Sequence, residues 1–322
     1  MGKYKVIERT LARKKADASM KSKQYAKIEG IPSGNASRRL TEGCLVLEGG
    51  ALRGTYGVGV MDALMLADIN FSCVIGTSAG VLNAVSYVSG QIGRSVRIPL
   101  RYRHDPRYFG MRAMLRNKSP FGFDFMFGEI AGRLDPLDWE RFNEPERRLV
   151  AVVTNCRTGG TEYLEKGKCP DICQAMRASS TMPYVSSSVF IGGQPYLDGG
   201  CSCKIPYRWA LEEGFRHIVV VRTNPRGYRR VPGRGKMIAR LAYGRRWPKL
   251  AESLGRSNDD YNAQCEELDF LEKEGRIFVF APSRSLGVKR MEPDLDKLGA
   301  WYEMGLHESE AAMPGLMEYL GR

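Results

Sequence analysis

Residues 71–90 read FSCVIGTSAGVLNAVSYVSG. An apolar run of strand length, Phe71–Ile75, enters Gly76-Thr77-Ser78-Ala79-Gly80 and leaves into a stretch of small residues with helical character. Strand, glycine-flanked turn and helix, in that order, form the unit from which layered α/β folds are built. This is also the context in which G-x-S-x-G carries chemistry, because Gly76 and Gly80 permit a turn sharp enough to lift Ser78 above the sheet. The Ser78 hydroxyl then sits at a helix N-terminus, where backbone N–H groups and the dipole favour developing negative charge. Ser78 is therefore a candidate nucleophile.

The same alternation extends in both directions. Apolar runs recur at 44–48, 148–154, 217–222 and 276–281, and helical stretches at 55–67, 79–90 and 204–214 lie among them. Near-continuous apolar runs mark strands buried on both faces of a mainly parallel sheet. The expected fold class is α/β, with a central mainly parallel sheet flanked by helices. Residues 100–147, rich in Arg, Phe and Pro, show no clear strand and read as a helical insertion near the site. One domain is expected over residues 43–320. Residues 1–42 read as a basic, weakly structured arm, since 1–40 carries eleven Lys or Arg against Glu8, Asp17 and Glu29.

Composition narrows the function classes. A chain of 322 residues, 43% hydrophobic and 26% charged, is ordinary for a soluble globular protein. No apolar run reaches the roughly 18–20 residues of a spanning helix, and MGKYKVIERTLARKK lacks the apolar core of a signal peptide. Val6 stands where a myristoylation motif wants Ser or Thr. Eight scattered cysteines fit the reduced thiols of a cytoplasmic protein. Cys201 with Cys203 and Cys169 with Cys173 are closely spaced, but only three histidines exist to complete a zinc site, so no metal is expected. Net charge is +13, and a second basic cluster fills RTNPRGYRRVPGRGK (222–236) and continues to Arg245-Arg246. It reads either as a solvated arginine-rich loop or as peripheral contact with anionic membrane. No helix-turn-helix, zinc-finger or RNP pattern accompanies it, so nucleic acid is not an expected partner.

A serine nucleophile needs an oxyanion hole and a base. Residues 44–54, CLVLEGGALRG, supply a glycine turn after a strand. Its spacing fits neither the G-x-G-x-x-G of dinucleotide sites nor the G-x-x-x-x-G-K-[ST] of phosphate loops. The N–H groups around Gly49, Gly50 and Ala51 are candidates to receive an oxyanion, with Arg53 fixing the loop or adding positive charge. Histidine is the usual base. His217, however, opens a strand, at the end opposite to where α/β sites form. His104 lies in the arginine-rich insertion, and His307 in a helical tail. Asp198, at the turn of YLDGG (196–200) after the hairpin-like SVFIGGQPYL, becomes the leading candidate base.

Three separated blocks, within about residues 43–225, resemble the patatin-like phospholipases, serine lipid acyl hydrolases that use a Ser–Asp dyad. Gly49-Gly50-Ala51-Leu52-Arg53-Gly54 resembles that family's oxyanion loop, Gly76-Thr77-Ser78-Ala79-Gly80 its nucleophile elbow, and Asp198-Gly199-Gly200 its aspartate motif. The resemblance implies a three-layer patatin-like fold, Ser78 as nucleophile and Asp198 as base. It implies an oxyanion hole at Gly49, Gly50, Ala51, Arg53 and Gly54, phospholipid or other fatty acyl ester substrates, and no cofactor. One departure stands out: Ala51 replaces the loop's third glycine, and its Cβ could restrict a positive φ or crowd the oxyanion. Two functions follow. One is a phospholipase, lysophospholipase or carboxylesterase; the other is a catalytically weak or inactive lipid-binding, membrane-associated protein of the same fold.

Overall fold

The computed structural model describes residues 25–322. These hold ten strands: β1 (Gly34–Asn35), β2 (Thr41–Leu47), β3 (Phe71–Thr77), β4 (Gln91–Ile92), β5 (Arg148–Asn155), β6 (Thr161–Glu165), β7 (Val189–Ile191), β8 (Gln194–Asp198), β9 (Ile218–Val221) and β10 (Phe278–Phe280). Strands β10, β9, β2, β3 and β5 lie side by side and parallel, each centred on one of the apolar runs. Beyond them β6 and β8 both pair antiparallel with β5, and β7 pairs antiparallel with β8. β1 and β4 form a separate two-stranded ribbon.

Helices cover both faces. In chain order they are α1 (Thr55–Leu66), α2 (Ala79–Val88), α3 (Arg94–Tyr102), α4 (Met111–Asn117), a π-helical stretch (Phe125–Leu134), α5 (Trp139–Phe142), α6 (Ile172–Ser179), α7 (Tyr207–Glu212), α8 (Lys236–Tyr243), α9 (Pro248–Lys273) and α10 (Leu295–Tyr319). Successive strand side chains point to opposite faces, and each face has its own core. Cys44, Val46, Cys73, Ile75, Val150 and Val152 pack with Tyr207 and Trp209 of α7 and Tyr261, Cys265 and Leu268 of α9. Leu45, Leu47, Val74, Leu149, Ala151 and Val153 pack on the other side with residues of α1, α2 and α10. Burial on both faces explains runs without polar alternation, and each buried Val, Leu or Ile among them contributes about 1.5–3 kcal/mol.

The crossing of α1 and α10 is close. A Cβ on Gly59 would stand 2.3 Å from the Tyr302 carbonyl oxygen, and one on Gly305 would stand 2.1 Å from that of Tyr56. Beside this crossing Asp62 is buried, accepting the Gly93 N–H at 3.0 Å and the Tyr302 hydroxyl at 2.8 Å. Burial pushes its carboxyl up to about 7, although both hydrogen bonds pull it down.

Residues 1–24 of the expected arm lie outside the described residues. Residues 25–42 lie inside them and are packed, so the ordered fold begins before residue 43. Tyr25 is buried and donates its hydroxyl to Glu303 at 3.1 Å, β1 pairs with β4, and β2 starts at Thr41. The basic pair here is matched to acids, Arg38 to Glu144 at 2.6 Å and Arg39 to Asp68 at 3.6 Å. Residues 100–147 contain the end of α3, α4, the π-helical stretch and α5, with a lone bridge between Phe109 and Phe121. Arginines there lie over aromatic rings, Arg103 over Phe109 and Arg107 over Phe125, each 4.2 Å from the centroid.

Candidate active site

Strand register brings Ser78 and Asp198 together. β5 pairs with β6 along Val150–Thr154, and β6 therefore occupies one of its edges. On the other edge β3 runs alongside up to Thr77, opposite Val152, and β8 takes over with Asp198 opposite Val153. The residue that follows β3 and the residue that ends β8 thus arrive at one point from opposite directions. The Ser78 hydroxyl donates to Asp198 Oδ2 at 2.7 Å.

The elbow is tightly built. Ser78 has φ 57° and ψ −125°, a conformation that L-residues adopt only when their surroundings impose it. Gly76 and Gly80 make the turn possible, because added Cβ atoms would lie 2.4 Å from Val81 N and 2.7 Å from Leu47 O. The Ser78 N–H is held by Ser179 Oγ at 2.9 Å. Asp198 is fixed as firmly: its Oδ1 accepts the Gly200 N–H at 2.7 Å, its own N–H donates to Thr181 O at 2.9 Å, and Thr154 Oγ1 donates to its carbonyl at 2.9 Å. Burial raises the Asp198 carboxyl above its ordinary value, opposed by the Ser78 hydroxyl, the Gly200 N–H and the charges of Arg290 and Lys204.

The glycine turn arrives next to this pair. Ala51 adopts φ 50°, so the loop keeps the left-handed conformation that a third glycine would take, at a cost of roughly 1–2 kcal/mol. Gly49 donates its N–H to Lys204 O at 3.3 Å and is already engaged. Among the described residues, the N–H groups of Gly50 and Ala51, and that of Ala79 at the start of α2, have no such partner. Arg53 points elsewhere. Its Nη1 donates to Asn224 Oδ1 at 3.0 Å, and it lines a separate cavity with Thr223 and Asn224. The buried Glu48 carboxylate accepts the Thr223 N–H at 2.6 Å and Asn224 Nδ2 at 3.1 Å, tying the loop to the end of β9. Gly54 accepts from Asn83 Nδ2 at 3.3 Å. Arg53 and Gly54 therefore shape the loop, and the charge facing Ser78 comes from Lys204 and Arg290, which no motif announced. Arg290 also accepts the Leu52 N–H on its carbonyl at 3.1 Å.

Ser78 sits where two cavities meet. One, of about 1060 Å³ with its mouth included, is walled by apolar side chains, among them Leu82, Ile98, Tyr108, Phe121, Met126 and Phe127. Much of that wall comes from residues 100–147. The other, of about 1410 Å³ with its mouth likewise included, contains Asp198, Gly50 and Ala51 together with Lys204, Arg230, Arg234 and Arg290. Cys201 borders it too, but burial raises its thiol well above the usual value and leaves it a poor nucleophile. No histidine lines either cavity. His217 precedes β9 at the far end of the sheet, its ring packed against Tyr319, while His104 and His307 are exposed. Among the described residues no cluster of ligating side chains could hold a metal.

An α/β sheet with a serine elbow and an adjoining glycine loop defines a class of hydrolase-like folds, and sequence comparison narrows it. The chain belongs to the patatin-like phospholipase family, a family of lipid acyl hydrolases, whose model matches residues 45–211. A domain of unknown function, DUF6363, matches residues 247–321. The uncharacterized protein YjjU of Escherichia coli K12 is 30% identical over 186 residues, which is 56% of this chain and 52% of that protein. The chain thus spans about half the length of this curated relative. Among solved structures, VipD from Legionella pneumophila superposes with a TM-score of 0.42 at 13% identity, over 91% of this chain and 68% of the other.

Proposed function

We propose that the protein is a carboxylic ester hydrolase of the phospholipase or lysophospholipase type, with Ser78 as nucleophile and Asp198 as its base. The observation that carries this is the 2.7 Å hydrogen bond from Ser78 Oγ to Asp198 Oδ2, at the junction of an apolar and a cationic cavity. The acyl chain lies in the apolar cavity and the leaving group in the cationic one. As Ser78 Oγ attacks the ester carbonyl carbon, its proton passes to Asp198, and the carbonyl oxygen takes the negative charge. The N–H groups of Gly50 and Ala51, with that of Ala79, receive this oxyanion. The intermediate collapses as the leaving oxygen takes the proton from Asp198. Water, deprotonated by the same carboxylate, then attacks the acyl carbon; the bond to Ser78 Oγ breaks as Oγ takes that proton back from Asp198, and the fatty acid is released. A carboxyl raised by burial is a stronger base than an exposed one, which suits it to this duty.

The left-handed φ of Ala51 preserves the loop's shape, so its geometry lends no support to an inactive, merely lipid-binding protein. We also infer peripheral contact with anionic membrane. α8 exposes Met237, Ile238 and Leu241 beside Arg240, and Arg234 and Gly235 just before it border the cationic cavity. No helix of the described residues is long and apolar enough to cross a membrane. The direct test is fluorophosphonate labelling together with hydrolysis of a short-chain ester. Both should vanish in Ser78→Ala, and labelling retained in that variant would assign the nucleophile to another residue.

A further inference from the structure

The arginine-rich segment 222–236 divides into two sets. Arg222 and Arg229 reach Asp269 at 3.5 and 2.8 Å, and Arg226 reaches Glu272 at 2.5 Å. Both acids lie on α9, so these three arginines hold the segment against the fold. Arg230 and Arg234 turn the other way, into the cavity beside Ser78, where Lys204 and Arg290 join them. The only carboxylate lining that cavity is Asp198, and none of the four cations lies within 4.0 Å of any carboxylate among the described residues.

The arrangement is built. Asn262 fixes the backbone of Arg230 from both sides, accepting its N–H at 2.8 Å and donating to its carbonyl at 2.9 Å. Asn258 donates to Val231 O at 2.9 Å. The Arg230 guanidinium lies 4.6 Å from the centre of the Tyr261 ring, and its buried Nε has no partner. Lys204 donates to Ser257 O at 2.6 Å. Burial, with the charges of Arg230 and Arg290, lowers the Lys204 ammonium to about 8. Gathering cations without counter-charges weakens the folded state, and an anion entering the cavity relieves that.

We propose that this cavity is a subsite for a phosphate-bearing head group of net negative charge, so that the preferred substrate is an acyl ester of an anionic phospholipid. The assignment of substrate rests on the reading of Ser78 as nucleophile; binding in the cavity does not. Arginine forks match phosphate geometry, which suits a phosphodiester. A choline group beyond the phosphate would bring a fifth cation among four, which selects against zwitterionic lipids.

The test uses the Ser78→Ala protein, which binds without turnover, and calorimetric titration with dihexanoyl phosphatidylglycerol, dihexanoyl phosphatidylcholine and inorganic phosphate. The anionic lipid should bind about tenfold more tightly or better than the choline lipid, the value of one charge-assisted pairing. Adding Arg234→Gln or Arg290→Gln, both exposed positions that leave the fold intact, should shrink that preference to about threefold or less. Equal binding of the two lipids, or a preference that survives both substitutions, overturns the proposal. Inorganic phosphate binding as tightly as the anionic lipid also overturns it, because the ligand is then free phosphate. If the unsubstituted protein cleaves neither lipid while the binding preference stands, the hydrolase reading falls and the subsite remains. Cleavage without head-group preference removes the subsite alone.

Discussion

Asp198→Asn separates the chemistry of the site from its architecture. Asn has the shape of Asp, and its side-chain oxygen can still accept the Gly200 N–H that Asp198 accepts at 2.7 Å. That bond decides the orientation of the amide, because the reverse would set NH₂ against N–H. The NH₂ group must then face Ser78 Oγ, and where Asp198 Oδ2 accepts at 2.7 Å the variant can only donate. General-base assistance disappears, with an expected fall of about 10²–10⁴ in kcat/KM, or roughly 3–5 kcal/mol. Stability should move the other way. Burial raises the Asp198 carboxyl in the folded state. Such a group binds its proton more tightly folded than unfolded, so ionisation costs stability as pH rises through the interval between the two pKa values. Asn removes that cost at neutral pH. Ester hydrolysis and thermal unfolding, measured on one preparation, should show a nearly dead enzyme with an unchanged or higher midpoint. Activity within tenfold of the unsubstituted protein would refute Asp198 as base. So would comparable loss in a variant of His104, His217 or His307.

Asp62 gives a stability effect far from the chemistry. With its carboxyl at about 7 folded and 3.8 unfolded, it contributes stability below pH 4 that is lost as pH rises to 7, a change of a few kcal/mol. Asp62→Asn should flatten denaturant midpoints over that range, and an equally steep profile in the variant would contradict the assignment. Gly305→Ala places a methyl 2.1 Å from the Tyr56 carbonyl oxygen and should cost about 1–3 kcal/mol by urea unfolding; an unshifted midpoint would show that α10 can slide. Co-sedimentation with phosphatidylglycerol vesicles should weaken as salt rises, since exposed charges are screened within about 10 Å at 0.1 M. Salt-independent binding would leave Met237, Ile238 and Leu241 as the sole membrane contact.

What could be read from the sequence follows from which residues are buried on both sides. β2, β3, β5 and β9 stood out because each has a core on either face. β6 did not: Thr161–Glu165 covers the edge of β5 with Thr161, Glu162 and Glu165 around Tyr163 and Leu164, too short an apolar stretch to mark a strand. Ser78 and Asp198 were legible through glycines that mark tight turns, and their meeting depends on β3 and β8 sharing one edge of β5. Lys204 and Arg290 sit in no motif. Arg229 and Arg230 are neighbours in sequence, yet one pairs with Asp269 and the other faces the cavity. Only the placement of α9, whose carboxylates come some forty residues later, separates them.

The seam between α1 and α10 bears on where this protein can be cut. The patatin-like match ends at residue 211, but the glycine loop is held from beyond it. Trp301 on α10 donates its indole N–H to Arg53 O at 2.8 Å, Arg290 O accepts from Leu52, and Asn224 receives Arg53. β9 and β10, the neighbours of β2 on that side, also lie past residue 211. A fragment trimmed to the matched segment would open an edge of the sheet and release the loop beside Ser78. Any boundary for expression or grafting drawn at residue 211 therefore cuts through the contacts that shape the loop beside Ser78.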